Sequence, residues 1–203
     1  MRFIGITGGV GAGKSAILSY LSEKKGTKVM LADEIAHKLM EPGNTCYHEI
    51  CKQFREDDIL AEDGSFDKGK LSSVIFSDEK KRTRLNEIVH PAVKKYVMHM
   101  FSEEKKKGEL ELLVLEAALL VEEEYDEICD ELWYIYTSEQ NRRKRLNETR
   151  GYSDEKISQI FSSQLSEEEY RNACKVTIDN NGDLSITYAQ IEKALKEENH
   201  ADE

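Results

Sequence analysis

Residues 8–15 have the composition of a phosphate-binding loop. They read Gly-Gly-Val-Gly-Ala-Gly-Lys-Ser, which matches the pattern G-x-x-x-x-G-K-[ST] in full. The glycines permit backbone torsions that point successive N–H groups at phosphate oxygens, and a helix beginning at the lysine adds positive partial charge. Lys14 would then reach the β- and γ-phosphates, and the Ser15 hydroxyl would ligate Mg²⁺. The pattern predicts a nucleoside triphosphate site whose binding residues are Gly9, Val10, Gly11, Ala12, Gly13, Lys14, Ser15 and Ala16.

Two acidic residues follow predicted strands. Asp33 comes directly after the short strand Lys28–Leu31, and the carboxyl ends of parallel strands face the ligand crevice. A carboxylate there can accept the proton of a hydroxyl group that receives a phosphoryl group, but aspartate at this position also caps helices. Position alone leaves both roles open for Asp33. Glu116, after the apolar run Leu110–Leu115, is a candidate to hold a magnesium-bound water.

A basic segment stands out in an acidic chain. Residues 139–150 contain five basic and two acidic residues, a local charge of +3, whereas the whole chain carries −11. On a helix, Arg142 and Arg145 share one face at the i, i+3 spacing. Such a helix, folded over the phosphates, would neutralise charge on the transferring group. The alternative is a solvated helix whose arginines pair with nearby acids.

Composition narrows the classes of partner. The 203 residues are 39% hydrophobic, with 29 Lys+Arg against 40 Asp+Glu, which argues against a general binder of nucleic acid or anionic membranes. Apolar runs fall short of the ~20 residues that span a bilayer, and the first run is too short for a signal peptide. The four cysteines lack zinc-site spacing and are expected to be reduced thiols. We therefore expect a cytoplasmic enzyme.

Short strands alternate with helices, which indicates a parallel α/β sheet. The predicted strands are Arg2–Thr7, Lys28–Leu31, Leu110–Leu115, Leu132–Thr137 and Lys175–Ile178. Helices are predicted mostly across 44–110, where Pro91 opens or kinks one, and at 138–149, 153–163, 166–173 and 184–198, followed by a frayed tail, Glu197–Glu203. We expect one domain over 1–203, with a core of 1–34, 110–137 and 174–203, a helical insert of about 35–109 and a segment of about 138–173 outside the core.

The phosphate loop alone does not distinguish a GTPase switch from an ATPase motor or a small-molecule kinase. The Asn-Lys-x-Asp motif with which Ras-type GTPases recognise guanine is absent from the sequence. The third predicted strand is followed by a single acidic residue, Glu116, whereas the corresponding strand of motor ATPases usually ends in an acidic pair. Asp33 and the basic segment favour a kinase.

The chain resembles the dephospho-CoA kinases over nearly its whole length. The motifs that carry the resemblance are residues 4–15, Ala32-Asp33 with Ala36, Glu41-Pro42-Gly43, Leu85-Asn86, His90-Pro91, Leu119-Leu120-Val121-Glu122, Gln164 and Ile178-Asp179-Asn180-Asn181-Gly182. The phosphate loop is shared with many kinases. The later motifs, in this order, are together specific for the family.

The resemblance implies a fold and an activity. The fold is that of the nucleoside-monophosphate kinases, a five-stranded parallel sheet with a helical insert that binds the acceptor and a helical lid. The activity is the ATP- and Mg²⁺-dependent phosphorylation of the ribose 3′-hydroxyl of dephospho-CoA, the last step of coenzyme A biosynthesis. Asp33 matches the catalytic base, and Lys14, Arg142 and Arg145 are expected to act on the phosphates. We expect a monomer or a weak homo-oligomer.

Three positions depart from the family pattern. Leu31 stands where many members have the first Asp of Asp-Ala-Asp, Ala16 replaces a threonine, and Ala118 replaces a proline. Glu116 lies near a position that Asp often occupies. Two other functions remain open at this point: a nucleoside or nucleotide kinase of the same fold, and a regulator that binds ATP without turnover.

Overall fold

The computed structural model describes residues 1–197 and divides the chain into two compact units. The first contains Met1–Val29 and the chain from Lys107 onwards, and the second contains Met30–Lys106. Apart from Glu197, which ends a helix, the predicted frayed tail lies outside the described residues. The helices are α1 (Lys14–Ser22), α2 (Ala32–Leu39), α3 (Thr45–Gln53), α4 (Lys68–Ser77), α5 (Glu79–Lys107), α6 (Glu139–Arg150), α7 (Asp154–Ser162), α8 (Glu167–Ala173) and α9 (Leu184–Glu197).

A five-stranded parallel sheet forms the centre of the fold, as predicted. Its strands are β1 (Arg2–Thr7), β2 (Thr27–Leu31), β3 (Leu112–Glu116), β4 (Glu131–Tyr136) and β5 (Val176–Asp179), in the order β2-β3-β1-β4-β5. Strand β1 pairs with β3 on one side and with β4 on the other, so that Ile6 lies opposite both Glu116 and Trp133. The ends of these three strands therefore meet at one edge, where the loop after β1 begins.

Apolar and aromatic side chains pack the first unit. Phe3 of β1 and Trp133 of β4 are fully buried, as expected for strands covered on both faces. Tyr134 stacks on Tyr170 of α8 with ring centroids 4.8 Å apart.

A buried ionic cluster lies near the start of β4. The Glu131 carboxylate pairs with Arg2 and with Lys175 at 3.5 Å, and it accepts a hydrogen bond from the indole nitrogen of Trp133 at 2.9 Å. Arg2 also donates to the carbonyl of Ala194 at 3.3 Å. This last contact fixes the C-terminal part of α9 to the first strand.

The second unit is mostly helical, and its longest loop lies between α3 and α4. Along α5, the side chains of Leu85, Val89, Val93 and Val97 are buried at intervals of four residues, which gives this long helix one apolar face. Pro91 lies inside α5 and not at its start, since the helix begins twelve residues earlier at Glu79. Proline has no backbone N–H group, so α5 lacks one helical hydrogen bond at Pro91, and the packed apolar face stabilises the helix there. Among residues 1–197, no helix combines the length and the apolar composition needed to cross a membrane.

Candidate functional site

The glycine-rich loop joins β1 to α1, as the sequence predicted. Gly13 has a φ of 87°, and a Cβ atom there would overlap the side-chain amide of Asn180. Gly8 has a φ of 147°, and a Cβ atom there would lie 2.6 Å from the carbonyl oxygen of Ile135. Both positions require glycine because of backbone conformation and of close approach. The loop is therefore packed tightly against the ends of the neighbouring elements.

The first turn of α1 is suited to an anion. Its N-cap residue is Gly13, so no side chain caps the helix. A helix N-terminus carries positive partial charge, and its first N–H groups are donors for phosphate oxygens. Ser15 is exposed in this turn. Its hydroxyl is thus accessible to a ligand bound at the loop.

Lys14 lies across the loop. Its Nζ donates a hydrogen bond to the carbonyl of Gly8 at 2.6 Å and forms an ion pair with Glu116 at 3.5 Å. The two charged side chains are only 16% and 19% exposed. Sequence reasoning linked Glu116 to magnesium and missed this pair with Lys14, which arises because β3 lies beside β1.

The side chain of Arg142 contacts the first half of the loop, Gly9-Val10. Its Nε donates to the carbonyl of Val10 at 2.9 Å, and its guanidinium lies 4.0 Å from the ring centre of Phe161. Gln164 accepts hydrogen bonds from Arg142 and, at 3.3 Å, from the N–H of Val10. Burial of the guanidinium lowers the pKa of Arg142 from its ordinary value.

Three side chains converge on the second half of the loop, Ala12-Gly13. The carbonyl of Ala12 accepts hydrogen bonds from Asn180 at 2.8 Å, from Thr137 at 3.0 Å and from Arg145 at 3.2 Å. Arg145 also donates to the carbonyl of Asn180 at 2.7 Å. Sequence reasoning gave Thr137 and Asn180 no role, although a polar residue after each buried strand was a signal for one.

Within the basic segment, the arginines have two kinds of partner. Arg143 forms an i, i+4 ion pair with Glu139 at 2.8 Å, as expected for a solvated helix face. Arg142 and Arg145 instead donate to backbone carbonyls of the phosphate loop. The face of α6 that carries these two residues is therefore the face against the loop.

Asp33 lies in the second unit, in the first turn of α2. The N-cap of this helix is Leu31, with extended backbone torsions of −108° and 118°, and it makes no side-chain capping bond. The interpretation of Asp33 as the N-cap is therefore wrong, because the helix begins at Ala32, one residue before it. The Asp33 side chain is exposed and thus accessible to a substrate.

The residues near the loop fit a magnesium ion held together with a nucleotide. Within residues 1–197, no group of three or more His, Cys, Asp or Glu side chains is arranged to hold a metal. Mg²⁺ usually keeps several waters and is bound through one or two protein groups plus substrate phosphates. The accessible hydroxyl of Ser15 beside the anion-binding turn meets that requirement, and Glu116 is the nearby carboxylate.

Comparison with known proteins gives a consistent answer. The family model for dephospho-CoA kinase matches residues 2–185. The dephospho-CoA kinase of Shouchella clausii is 36% identical over 197 residues, which cover 97% of this chain and 98% of the relative. The chain belongs to the dephospho-CoA kinase family.

Solved structures share the fold of this chain. TT1252 from Thermus thermophilus is 27% identical with a TM-score of 0.77, and the match covers 97% of each chain. The dephospho-CoA kinase from Campylobacter jejuni, at 20% identity, has the same fold with a TM-score of 0.72 over 97% of each chain. The family assignment confirms the resemblance seen in the sequence: the protein is a kinase of coenzyme A biosynthesis that transfers phosphate from ATP to dephospho-CoA.

Proposed function

We propose that this kinase binds Mg·ATP at residues 9–16 and directs its γ-phosphoryl group to the ribose 3′-hydroxyl of dephospho-CoA. The observation that carries the proposal is the loop itself: a glycine-rich turn opens into the uncapped N-terminus of α1, with Lys14 across it. We also propose that the chain forms a single domain, with an acceptor-binding insert at 35–109 and a lid at 138–173. We propose that the protein is located in the cytoplasm.

Lys14 would stabilise charge on the phosphates. Its ammonium group lies between the carbonyl of Gly8 and the carboxylate of Glu116, at the mouth of the loop. A point charge beside the transferring group stabilises the transition state more than the bound ground state. The Ser15 hydroxyl would hold a magnesium ion, which would neutralise part of the charge on the phosphates.

Asp33 would act as the base that takes the proton of the 3′-hydroxyl group. It is exposed in the first turn of α2, and its carboxylate does not cap that helix. Leu31 occupies the position of the first Asp of the family motif, so Asp33 is the single carboxylate of that motif here. The proposal therefore places the whole of the general-base role on one side chain.

Arg142 and Arg145 would exclude water from the phosphates when the lid covers the nucleotide. Both already donate to carbonyls of the loop. A kinase that closes without excluding water hydrolyses ATP instead of transferring its phosphoryl group. Arg142, which is half-buried against Phe161, also donates to Gln164 within the proposed lid.

The test is the exchange Asp33→Asn. We expect kcat with dephospho-CoA to fall about a hundredfold or more, because an amide cannot take the proton. The melting temperature and the ATP dissociation constant should stay unchanged, since Asp33 faces the acceptor in this proposal and is not a cap. Formation of ADP measures turnover, with Glu34→Gln in the same helical turn as the matched control.

Two results would contradict the proposal. Wild-type kcat in the Asp33→Asn variant would move the search for the base to Glu116. Turnover of adenosine or a nucleoside monophosphate equal to that of dephospho-CoA would favour a nucleoside or nucleotide kinase. The absence of nucleic-acid and membrane partners and the monomeric or weakly oligomeric state stay predictions.

A further inference from the structure

The buried side chain of Asn180 connects the phosphate loop to α9. Asn180 follows β5 and is 1% exposed. Its Nδ2 donates to the carbonyl of Ala12 at 2.8 Å, and its Oδ1 accepts from the hydroxyl of Thr187 at 3.0 Å. Its backbone N–H donates to the carbonyl of Tyr136 at 2.8 Å. Every polar end of this residue is thus engaged at a buried position beneath the loop.

Thr187 holds the amide of Asn180 in the orientation that the loop requires. The carbonyl of Ala12 can only accept, so it pairs with the donating Nδ2 end of the asparagine and leaves Oδ1 facing Thr187. The Thr187 hydroxyl donates to this Oδ1 at 3.0 Å and also lies 3.3 Å from the carbonyl of Asp179. Without the hydroxyl, Oδ1 would be a buried acceptor with no donor from α9, which costs free energy.

Helix α9 is itself held in place, so it can serve as a support. Arg2 donates to the carbonyl of Ala194 near its C-terminal end. Near its middle, the ring of Tyr188 stacks on Tyr20 of α1 with centroids 3.9 Å apart, and the hydroxyl of Tyr20 donates to Glu192 at 2.6 Å. The same helix therefore packs on α1 and, through Thr187, holds the loop that precedes α1.

We infer that Asn180 and Thr187 are positioning residues for ATP binding. Together they set the peptide between Ala12 and Gly13, and hence the direction of the first-turn N–H groups of α1. The fit is close, since a Cβ atom on Gly13 would overlap the Asn180 amide. This inference rests on the proposed function of the loop. It extends that proposal to a buried pair that acts on the phosphates only through Ala12.

The first test is Thr187→Val, which keeps the shape of the side chain and removes the hydroxyl. We expect ATP affinity to weaken by about threefold to tenfold, the effect of one neutral hydrogen bond. The KM for dephospho-CoA should not change, and Thr187→Ser should restore ATP affinity. Ser22→Ala at the end of α1, which also removes one hydroxyl hydrogen bond, is the control and should leave both constants unchanged.

The second test asks whether Thr187 acts through Asn180. In an Asn180→Ala background, the Thr187→Val exchange should cost little further ATP affinity, because the group that it orients is gone. Asn180→Asp gives a second variant if the alanine variant does not fold. Its carboxylate still accepts from Thr187 but offers no donor to Ala12, so ATP affinity should fall.

Several outcomes would overturn the inference. One is a Thr187→Val variant with a lower melting temperature but unchanged ATP affinity, since that result describes a purely structural threonine. Additive effects of the two exchanges would show that Thr187 does not act through Asn180. Lys14→Ala, measured in parallel, separates the two proposals. If Lys14→Ala retains turnover, the proposed role of the loop is wrong. If Lys14→Ala loses turnover while Thr187→Val keeps wild-type ATP affinity, only the positioning role is wrong.

Discussion

The two halves of the phosphate loop are held by different sets of side chains. Arg142 and Gln164, from the predicted lid, contact Val10 in the first half. Arg145, also from the predicted lid, contacts Ala12 in the second half, but Thr137 and Asn180, which follow strands of the sheet, hold Ala12 as well. The first half is thus bound to the lid segment, and the second half to the lid segment and to the edge of the core.

This difference has an energetic consequence. Gln164 and Arg142 are half-buried, so water can replace their hydrogen bonds when they separate from the loop. Asn180 and Thr137 are 1% and 3% exposed, and loss of their partners would leave polar groups buried without a hydrogen bond. Movement of the predicted lid would therefore release the first half of the loop at low cost, while Thr137 and Asn180 would still hold the second half.

Removal of the loop's own cation should have the largest effect. Lys14→Ala should lower kcat by about 10²–10³, because single electrostatic contacts to a transition state contribute on that scale. The fold should survive, since neither half of the loop depends on this side chain for its contacts with Val10 or Ala12. Measurement of ADP formation and of the melting temperature tests both statements, with exposed Lys25→Ala as the control. Near-normal turnover would remove Lys14 from the catalytic residues.

A substitution in α6 tests whether the second half of the phosphate loop is the more firmly held half. Arg145→Ala should lower the free energy of unfolding by about 1.5–3 kcal/mol, since a charged donor to Ala12 and Asn180 is lost. Arg143→Ala on the same helix removes only a surface ion pair and should change it by less than about 1 kcal/mol. Urea denaturation measures both variants. Equal losses would contradict the distinction between the two arginines.

The smallest effect is expected at the first half. Gln164→Ala removes an acceptor that Val10 and Arg142 share, and it should weaken ATP binding by about twofold to fivefold, within the range of one solvent-accessible hydrogen bond. The free energy of unfolding should change by less than about 1 kcal/mol. Gln159→Ala, exposed on α7, is the control. A loss of stability as large as that of Arg145→Ala would mean that both halves are equally fixed.

The sequence predicted each strand to within two residues, and the shifts have a structural reason. The apolar run suggested a strand over Leu110–Leu115, whereas β3 covers Leu112–Glu116. Its ladder begins where Leu112 pairs with Arg2, so the register with β1, and not the apolar run, sets the boundary. The two-residue shift at the start of α2 had more effect: a cap at Asp33 would start the helix at Glu34, but the helix starts at Ala32, which excludes Asp33 as its cap.

The phosphate loop could be recognised from eight consecutive residues because its chemistry is local. Glycine torsions, the lysine and the first helical turn all belong to one short segment. The partners of that loop could not be recognised in this way. Asn180 lies 168 residues from the carbonyl that it binds, and Arg142 lies 132 residues from Val10. Only the order of strands in the sheet, which places β4 beside β1 and β5 beside β4, brings these side chains to the loop. The direction of a side chain in space depends on packing that no short segment contains.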